Sequence, residues 1–373
     1  MKKALPFLLL FFCLSAFSQI NSDSLEYRIR PDSSRTGELH LSINNFNYLR
    51  NYEFYNKIQD GYTLYGTQLE PQLVYYAHPR LALMAGAHLR KDFGGKGIYK
   101  TYPLFSIKYQ KDNTAFITGA LEGNIQHRFI EPLFDCEKKI TDPVEYGTQF
   151  VVNRPSLFLD AFINWKRMIY KLSSEQEQIV AGLSSDISVF SSENLRLSIP
   201  VQAIVFHQGG QIDIVDKPLQ TLLNTAIGFS LNYKQAGFIQ NLHTNNYLVT
   251  YKEASPTKMQ AYANGNGIYL NAGADSRYGS LSASYWNADN FIAASGMPIF
   301  QSVSQQIDYP GYAQSKRELL FIRYAYQKEL VPNFYVDFRV EPVMDLGLSE
   351  KKFELYHSLF VTYRQQFRLT RAH

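Results

Sequence analysis

Phe334-Tyr335-Val336-Asp337-Phe338-Arg339-Val340-Glu341 alternates apolar and polar residues without a break. Successive side chains of a β-strand point to opposite faces. Phe334, Val336, Phe338 and Val340 therefore share one face, and Tyr335, Asp337, Arg339 and Glu341 the other. The next stretch repeats the pattern. Phe353, Leu355, Leu359, Val361, Tyr363 and Phe367 alternate with Glu354, Ser358, Thr362, Arg364, Gln366 and Arg368. A wall that is greasy outside and polar inside, cut by turn residues, is the signature of a transmembrane barrel.

Sixteen stretches read as strands: 37–46, 62–77, 80–92, 101–110, 114–123, 145–152, 156–168, 176–190, 195–207, 219–233, 237–251, 266–274, 278–287, 316–327, 332–345 and 353–369. Many run longer than the ~5–6 residues usual in soluble sheets. The expected fold is all-β: a closed antiparallel transmembrane β-barrel of about 14–16 strands. The 237–251 run mixes polar residues onto both faces and reads as an extension above the membrane. The 316–327 run sets Arg317 and Arg323 beside Leu319 and Phe321, which fits only a face that looks inward. His78-Pro79-Arg80, Lys111-Asp112-Asn113 and Val331-Pro332-Asn333 read as tight turns. Segments 124–144, 208–218, 252–265 and 288–315 read as long outer loops, the last either covering the mouth or entering the lumen.

The N-terminus sets the compartment. Lys2 and Lys3 precede an apolar run, Leu5 to Leu14, too short to span a bilayer, and Ala16-Phe17-Ser18 supplies small residues two apart. This is a secretory signal peptide over 1–18. A short periplasmic segment, 19–36, and one barrel domain, 37–373, follow. Cys136 is the only cysteine beyond the signal, so no internal disulfide or cysteine cluster is expected. Acids and bases nearly balance, with 37 Lys and Arg against 33 Asp and Glu, which excludes a nucleic-acid footprint. Tyr and Phe are abundant, at 27 and 26, and beyond the signal no stretch approaches the ~20 apolar residues of a membrane helix. In lipid every backbone polar group needs an internal partner, which leaves the closed barrel.

Two stretches carry a resemblance. The C-terminal strand, with Tyr363, Phe367 and Leu369 alternating, resembles the assembly signal of outer-membrane barrels, although Thr370 to His373 follow where that signal ends on its aromatic. Asn51-Tyr52-Glu53-Phe54-Tyr55, Gly61-Tyr62-Thr63-Leu64 and Gln68-Leu69-Glu70-Pro71-Gln72-Leu73, with Ile130 to Asp135 and Asn164-Trp165, resemble a poorly characterised family of Bacteroidota outer-membrane proteins. That resemblance implies a barrel in the bacterial outer membrane, with outer-membrane lipid and the barrel-assembly machinery as partners. It implies no established activity.

The candidate site is the inward list: Glu70, Lys108, Asp160, Lys166, Arg323, Asp337, Arg339, Glu341 and Arg364. Mixed charges in a wet lumen orient polar solutes. The expected function is a porin-like channel for passive passage of small polar solutes, possible as a homo-oligomer. A closed lumen whose charges pair for structure is the alternative reading of the same residues. Its functional counterpart is a non-conducting scaffold docking partners through loops 124–144 and 288–315, and a lipid-modifying barrel enzyme is the third reading. No Gly-x-Ser-x-Gly elbow and no His-x-x-x-His spacing occurs. His207 with Asp213, near a serine, is the one acid–base arrangement visible; at a strand end it reads more simply as turn decoration. No catalytic residue, metal or cofactor is expected, and the protein reads as a non-enzyme.

Overall fold

The computed structural model describes residues 25–123, 127–348 and 352–371; the signal peptide read over 1–18 lies outside them. Sixteen antiparallel strands close into one barrel, each paired with its chain neighbours. They are β1 Glu38–Glu53, β2 Thr63–His78, β3 Leu81–Asp92, β4 Lys100–Lys111, β5 Thr114–Ala120, β6 Tyr146–Arg154, β7 Leu157–Arg167, β8 Gln178–Ser191, β9 Leu195–Gln208, β10 Gln220–Lys234, β11 Ile239–Glu253, β12 Asn264–Ser276, β13 Gly279–Asp289, β14 Lys316–Val331, β15 Phe334–Asp345 and β16 Lys352–Arg371. The ring is sealed where β1 meets β16, from Glu38 opposite Arg371 to Glu53 opposite Leu355.

Period-2 patterning sets the two faces. Along β1 the even residues from Glu38 to Tyr52 are buried inside, while Leu39, Leu41, Ile43 and Leu49 look out. The 237–251 run is wall rather than extension: β11 buries every second residue from Asn241 to Glu253. On β14, Arg317, Leu319, Phe321, Arg323 and Ala325 are the buried face. Tight turns collect on one rim, where Asp112 and Asn333 take the left-handed φ values of 52° and 69° that Asp and Asn tolerate best. All the long connections lie on the other rim. Short turns face the periplasm and long loops face outward in outer-membrane barrels.

A barrel of this strand number encloses more space than its own inward side chains fill. Here chain segments pack the outer part of it, and a cavity of about 960 Å³ lined by Tyr27, Arg28, Arg364 and Gln366 lies at the tight-turn end. The described parts of the β5–β6 connection, 121–123 and 127–145 with the short helix α1 Lys138–Thr141, and segment 290–315 fold into the lumen. Phe129, Leu133, Phe134, Phe291, Ile299 and Phe300 are at most 1 % exposed and pack against wall residues such as Phe162, Trp286 and Phe321. The segments interlock: Asp135 N donates to Ser295 O at 2.8 Å and Met297 N to Glu131 O at 3.0 Å. A Cβ on Gly296 would sit 2.0 Å from Pro132 O, so this crossing requires glycine. Wall side chains satisfy the inserted backbone. Gln202 grips Ile130 N and Arg128 O, Asn224 Nδ2 donates to Ile292 O, and the Trp286 indole N–H donates to Phe300 O. Below the plug Leu25 packs on Phe46, Tyr48, Ile140 and Phe360 at mid-strand level, and Ile29 nearer the tight-turn rim on Val74, Tyr76 and Met84. The described residues of loops 124–144 and 288–315 are thus a plug, not the exposed docking surface expected of them: their apolar residues are drawn out of water into the lumen.

Candidate functional site on the outer wall

The inward charges project into this packed interior, each engaged. Glu70 accepts from Asn44 and contacts His88, both at 2.8 Å. Lys108 meets Glu122 at 2.6 Å and donates to Ile29 O. Arg323 bridges Glu131 at 2.6 Å and Glu341 at 3.4 Å. Asp337 pairs with Arg339 at 2.6 Å, and Arg364 stacks between the rings of Tyr27 and Tyr335. Lys166 stands apart at the loop rim, paired with Asp142 at 2.8 Å. Asp160 lies under the plug, 3.1 Å from His127 Nδ1, while Glu145 holds His127 Nε2 at 2.7 Å. Burial alone would lower the pKa of His127; Asp160 and Glu145 outweigh it and hold the ring up at about 10. This imidazolium ties plug to wall. Tyr363, Phe367 and Leu369 are exposed on β16 and look outward.

The outer wall is where unexpected chemistry sits. Trp165 on β7 pairs with Ile179 on β8, Ile179 with His207 on β9, and His207 with Thr221 on β10. All four follow the outward parity of their strands. His207 Nδ1 lies 2.9 Å from Thr221 Oγ1. With the ring proton on Nε2, the Thr221 hydroxyl donates to His207; this is hydroxyl–base geometry within catalytic reach. The backbone around the pair is fixed. Thr221 N donates to Ser255 Oγ at 2.8 Å, Ala254 N donates to Thr221 O at 2.7 Å, and the chain swings away from β9 at Gly209, φ 150°. Trp165, half exposed in the same row, donates its indole N–H to Glu177 at 2.9 Å. An outward tryptophan with a polar handle marks the headgroup level.

Towards the periplasm from His207 the wall is notched. Outward Val205 and Ala203 follow on the same strand, and Ala181 and Ala161 flank them on β8 and β7. Phe116, Phe150, Ile163 and Leu183 stand around these alanines, lining an open groove of about 410 Å³.

A second polar group breaks the apolar wall beside the closure seam. Thr63 Oγ1 donates to Asn51 Oδ1 at 2.5 Å, Asn51 Nδ2 donates to Glu53 at 2.6 Å, and His357 lies opposite Asn51 on β16. These residues include part of the stretch that carries the family resemblance, and no imidazole–hydroxyl hydrogen bond forms among them.

The sequence profile of the Lipid A 3'-O-deacylase-type family matches residues 29–372. The chain belongs to that family. Membership in the deacylase-type family overturns the expectation of a non-enzyme, because the family is named for an enzyme. His207 and Thr221 sit on two strands joined by register, so local spacing in the chain does not bring them together. Asp213, the partner expected for His207, instead accepts from Val215 N at 3.0 Å within its own loop. No curated protein matches the sequence. Among solved structures this deacylase-type chain resembles OprD of Pseudomonas aeruginosa, an outer-membrane protein, with TM-score 0.51 and 10 % identity over 92 % of this chain and 98 % of that one. It also resembles in-vitro folded OmpT of Vibrio cholerae, an outer-membrane protein in its trimer form, with TM-score 0.50 and 10 % identity over 88 % and 100 %. At such identity the likeness is one of fold. The protein is a bacterial outer-membrane barrel.

Proposed function

We propose that this protein is a lipid-modifying barrel enzyme that hydrolyses an acyl ester of an outer-leaflet glycolipid of the lipid A class. The observation that carries the reading is the His207–Thr221 hydrogen bond on the lipid-facing wall, level with Trp165. Ester bonds of a membrane lipid lie between headgroup and chains, at the depth of the aromatic belt. There a hydroxyl can meet the ester carbonyl without the lipid leaving the leaflet.

The chemistry needs only the pair and water. His207 Nδ1 takes the proton of Thr221 as Oγ1 adds to the ester carbonyl. The imidazolium returns that proton to the departing sugar hydroxyl, which leaves an acyl-threonine. Water, deprotonated by the same ring, then releases the fatty acid and restores Thr221. The family supports the reaction class, and the filled lumen speaks against the porin-like reading.

The test is mass spectrometry of lipid A incubated with the purified barrel in mixed micelles. Wild type is expected to release one acyl chain. H207A and T221V are expected to lose at least ~10²-fold of the rate, the usual scale for removing a base or nucleophile. Full activity in T221V, or loss confined to T63V and E53Q, would move the reaction to the seam cluster.

A further inference from the structure

The groove below His207 has no role in the bond-breaking step, and its shape calls for an occupant. We infer that it is the seat of the acyl chain and that it selects which chain is cut. The inference rests on the hydrolase reading for its second half only.

The wall around β5 to β9 faces lipid, so whatever fills the notch is apolar and comes from the membrane. Its low points are Ala161, Ala181 and Ala203 on three successive strands, with Leu183 standing between Ala161 and Ala203, and Phe116, Phe150 and Ile163 line one side. Val205, on its lining, pairs with Leu223, the outward residue next below Thr221 on β10. Val205 lies one outward step down β9 from His207 and Ala203 two steps down, a run of about 13 Å at the rise of a strand. A chain whose carbonyl meets Thr221 therefore hangs directly into the notch. A saturated acyl chain is the occupant because it is the lipid part that extends in this direction from an ester at headgroup depth. The headgroup itself belongs at the level of Trp165 and Glu177.

Contact with apolar walls contributes roughly 25 cal/mol per Å² removed from a polar surrounding, but lipid tails already provide an apolar one. Selection must therefore come from shape. A chain packed against fixed side chains gains close contacts that a mobile tail lacks, and one that overfills the alanine floor meets a clash. Enlarging the floor residues should shorten the preferred chain, and because these positions face lipid, larger apolar residues leave the barrel interior untouched.

Two readouts separate the seat from the reaction. The first uses the T221V barrel in vesicles of outer-leaflet glycolipid bearing a photoactivatable diazirine midway along one acyl chain. Cross-links are expected to concentrate on peptides spanning 157–167, 178–187 and 199–207, and to fall at least fivefold on those peptides in T221V/A203F. The second follows hydrolysis of glycolipids of graded chain length by wild type, A203F and A181L, where the variants should favour shorter chains by at least fivefold. Cross-links spread evenly around the barrel, or unchanged by A203F, overturn the seat whatever the activity. Concentrated cross-links with no hydrolysis by wild type leave the seat standing and overturn the hydrolase reading. Hydrolysis whose chain preference is the same in all three proteins overturns selection by the groove.

Discussion

A single hydrogen bond decides what His207 can do. Its Nδ1 has one neighbour of catalytic type, Thr221 Oγ1 at 2.9 Å. T221S keeps the oxygen and removes one methyl group, so it should retain activity within about tenfold, whereas T221V keeps the volume and should lose it. Equal loss in both variants would make Thr221 a packing residue. The sequence exposed His207 but not its partner. Parity along β9 places His207 with Val205 and Ala203 on the outer face, yet its partner is fixed by the register of β9 on β10, and cross-strand register is set by the turn between them. That turn, 209–219, is long, so counting along the chain could not bring Thr221 opposite His207. The inward charges were legible for the opposite reason: parity alone sets the direction of Arg323, Asp337 and Arg339, and only the atoms they meet come from distant loops.

At the scale of elements, strands were readable and loops were not. A wall strand is dictated residue by residue by lipid on one side, so the alternation of 334–341 or 353–367 survives in the sequence. Segments 121–145 and 290–315 carry no such period. Their apolar residues, Phe129, Leu133, Phe134, Phe291, Ile299 and Phe300, find their place only against the lumen wall. Two loop groups then make the plug sensitive to alkali. Burial first, and Glu137 second, push the Asp135 carboxyl up to about 7. A carboxyl raised in the folded state stabilises that state while protonated, and the contribution is lost as pH rises through 7. His127, held up at about 10, stabilises fully below its ordinary range and loses that contribution as pH rises through 10. Both signs agree. In W165F, where Trp286 is the remaining tryptophan, acrylamide quenching should stay low at pH 6 and rise in two steps, near pH 7 and near pH 10. H127Q should show raised quenching already at pH 6, and a flat pH profile in both proteins would refute the coupling. G296V should loosen the plug at every pH, because its side chain meets Pro132 O.

For the whole molecule, the proposed reaction and the lumen occupy opposite faces of one wall. The outward faces of β9 and β10 carry the His207–Thr221 pair, and their inward faces carry Gln202 and Asn224, which hold the plug. A barrel that works on lipid from outside has no need of an open lumen. Excising the second plug segment tests this division. Asn290 N donates to Ser315 O at 2.6 Å, so the two ends of segment 290–315 are already adjacent. Replacing residues 292–313 by a Gly-Gly link should close without strain on β13 and β14. In planar bilayers the intact protein should give no stable conductance steps. The excised barrel should give them, since removing Met297, Ile299 and Phe300 takes apolar packing out of the lumen and frees Arg317 from the Ile299 carbonyl. Hydrolysis by the excised barrel should remain within about threefold of wild type, because nothing on the outer face of β9 or β10 has been removed. Steady conductance by the intact protein would mean that the plug yields under voltage, and collapse of hydrolysis on excision would tie the reaction to the interior rather than to the wall.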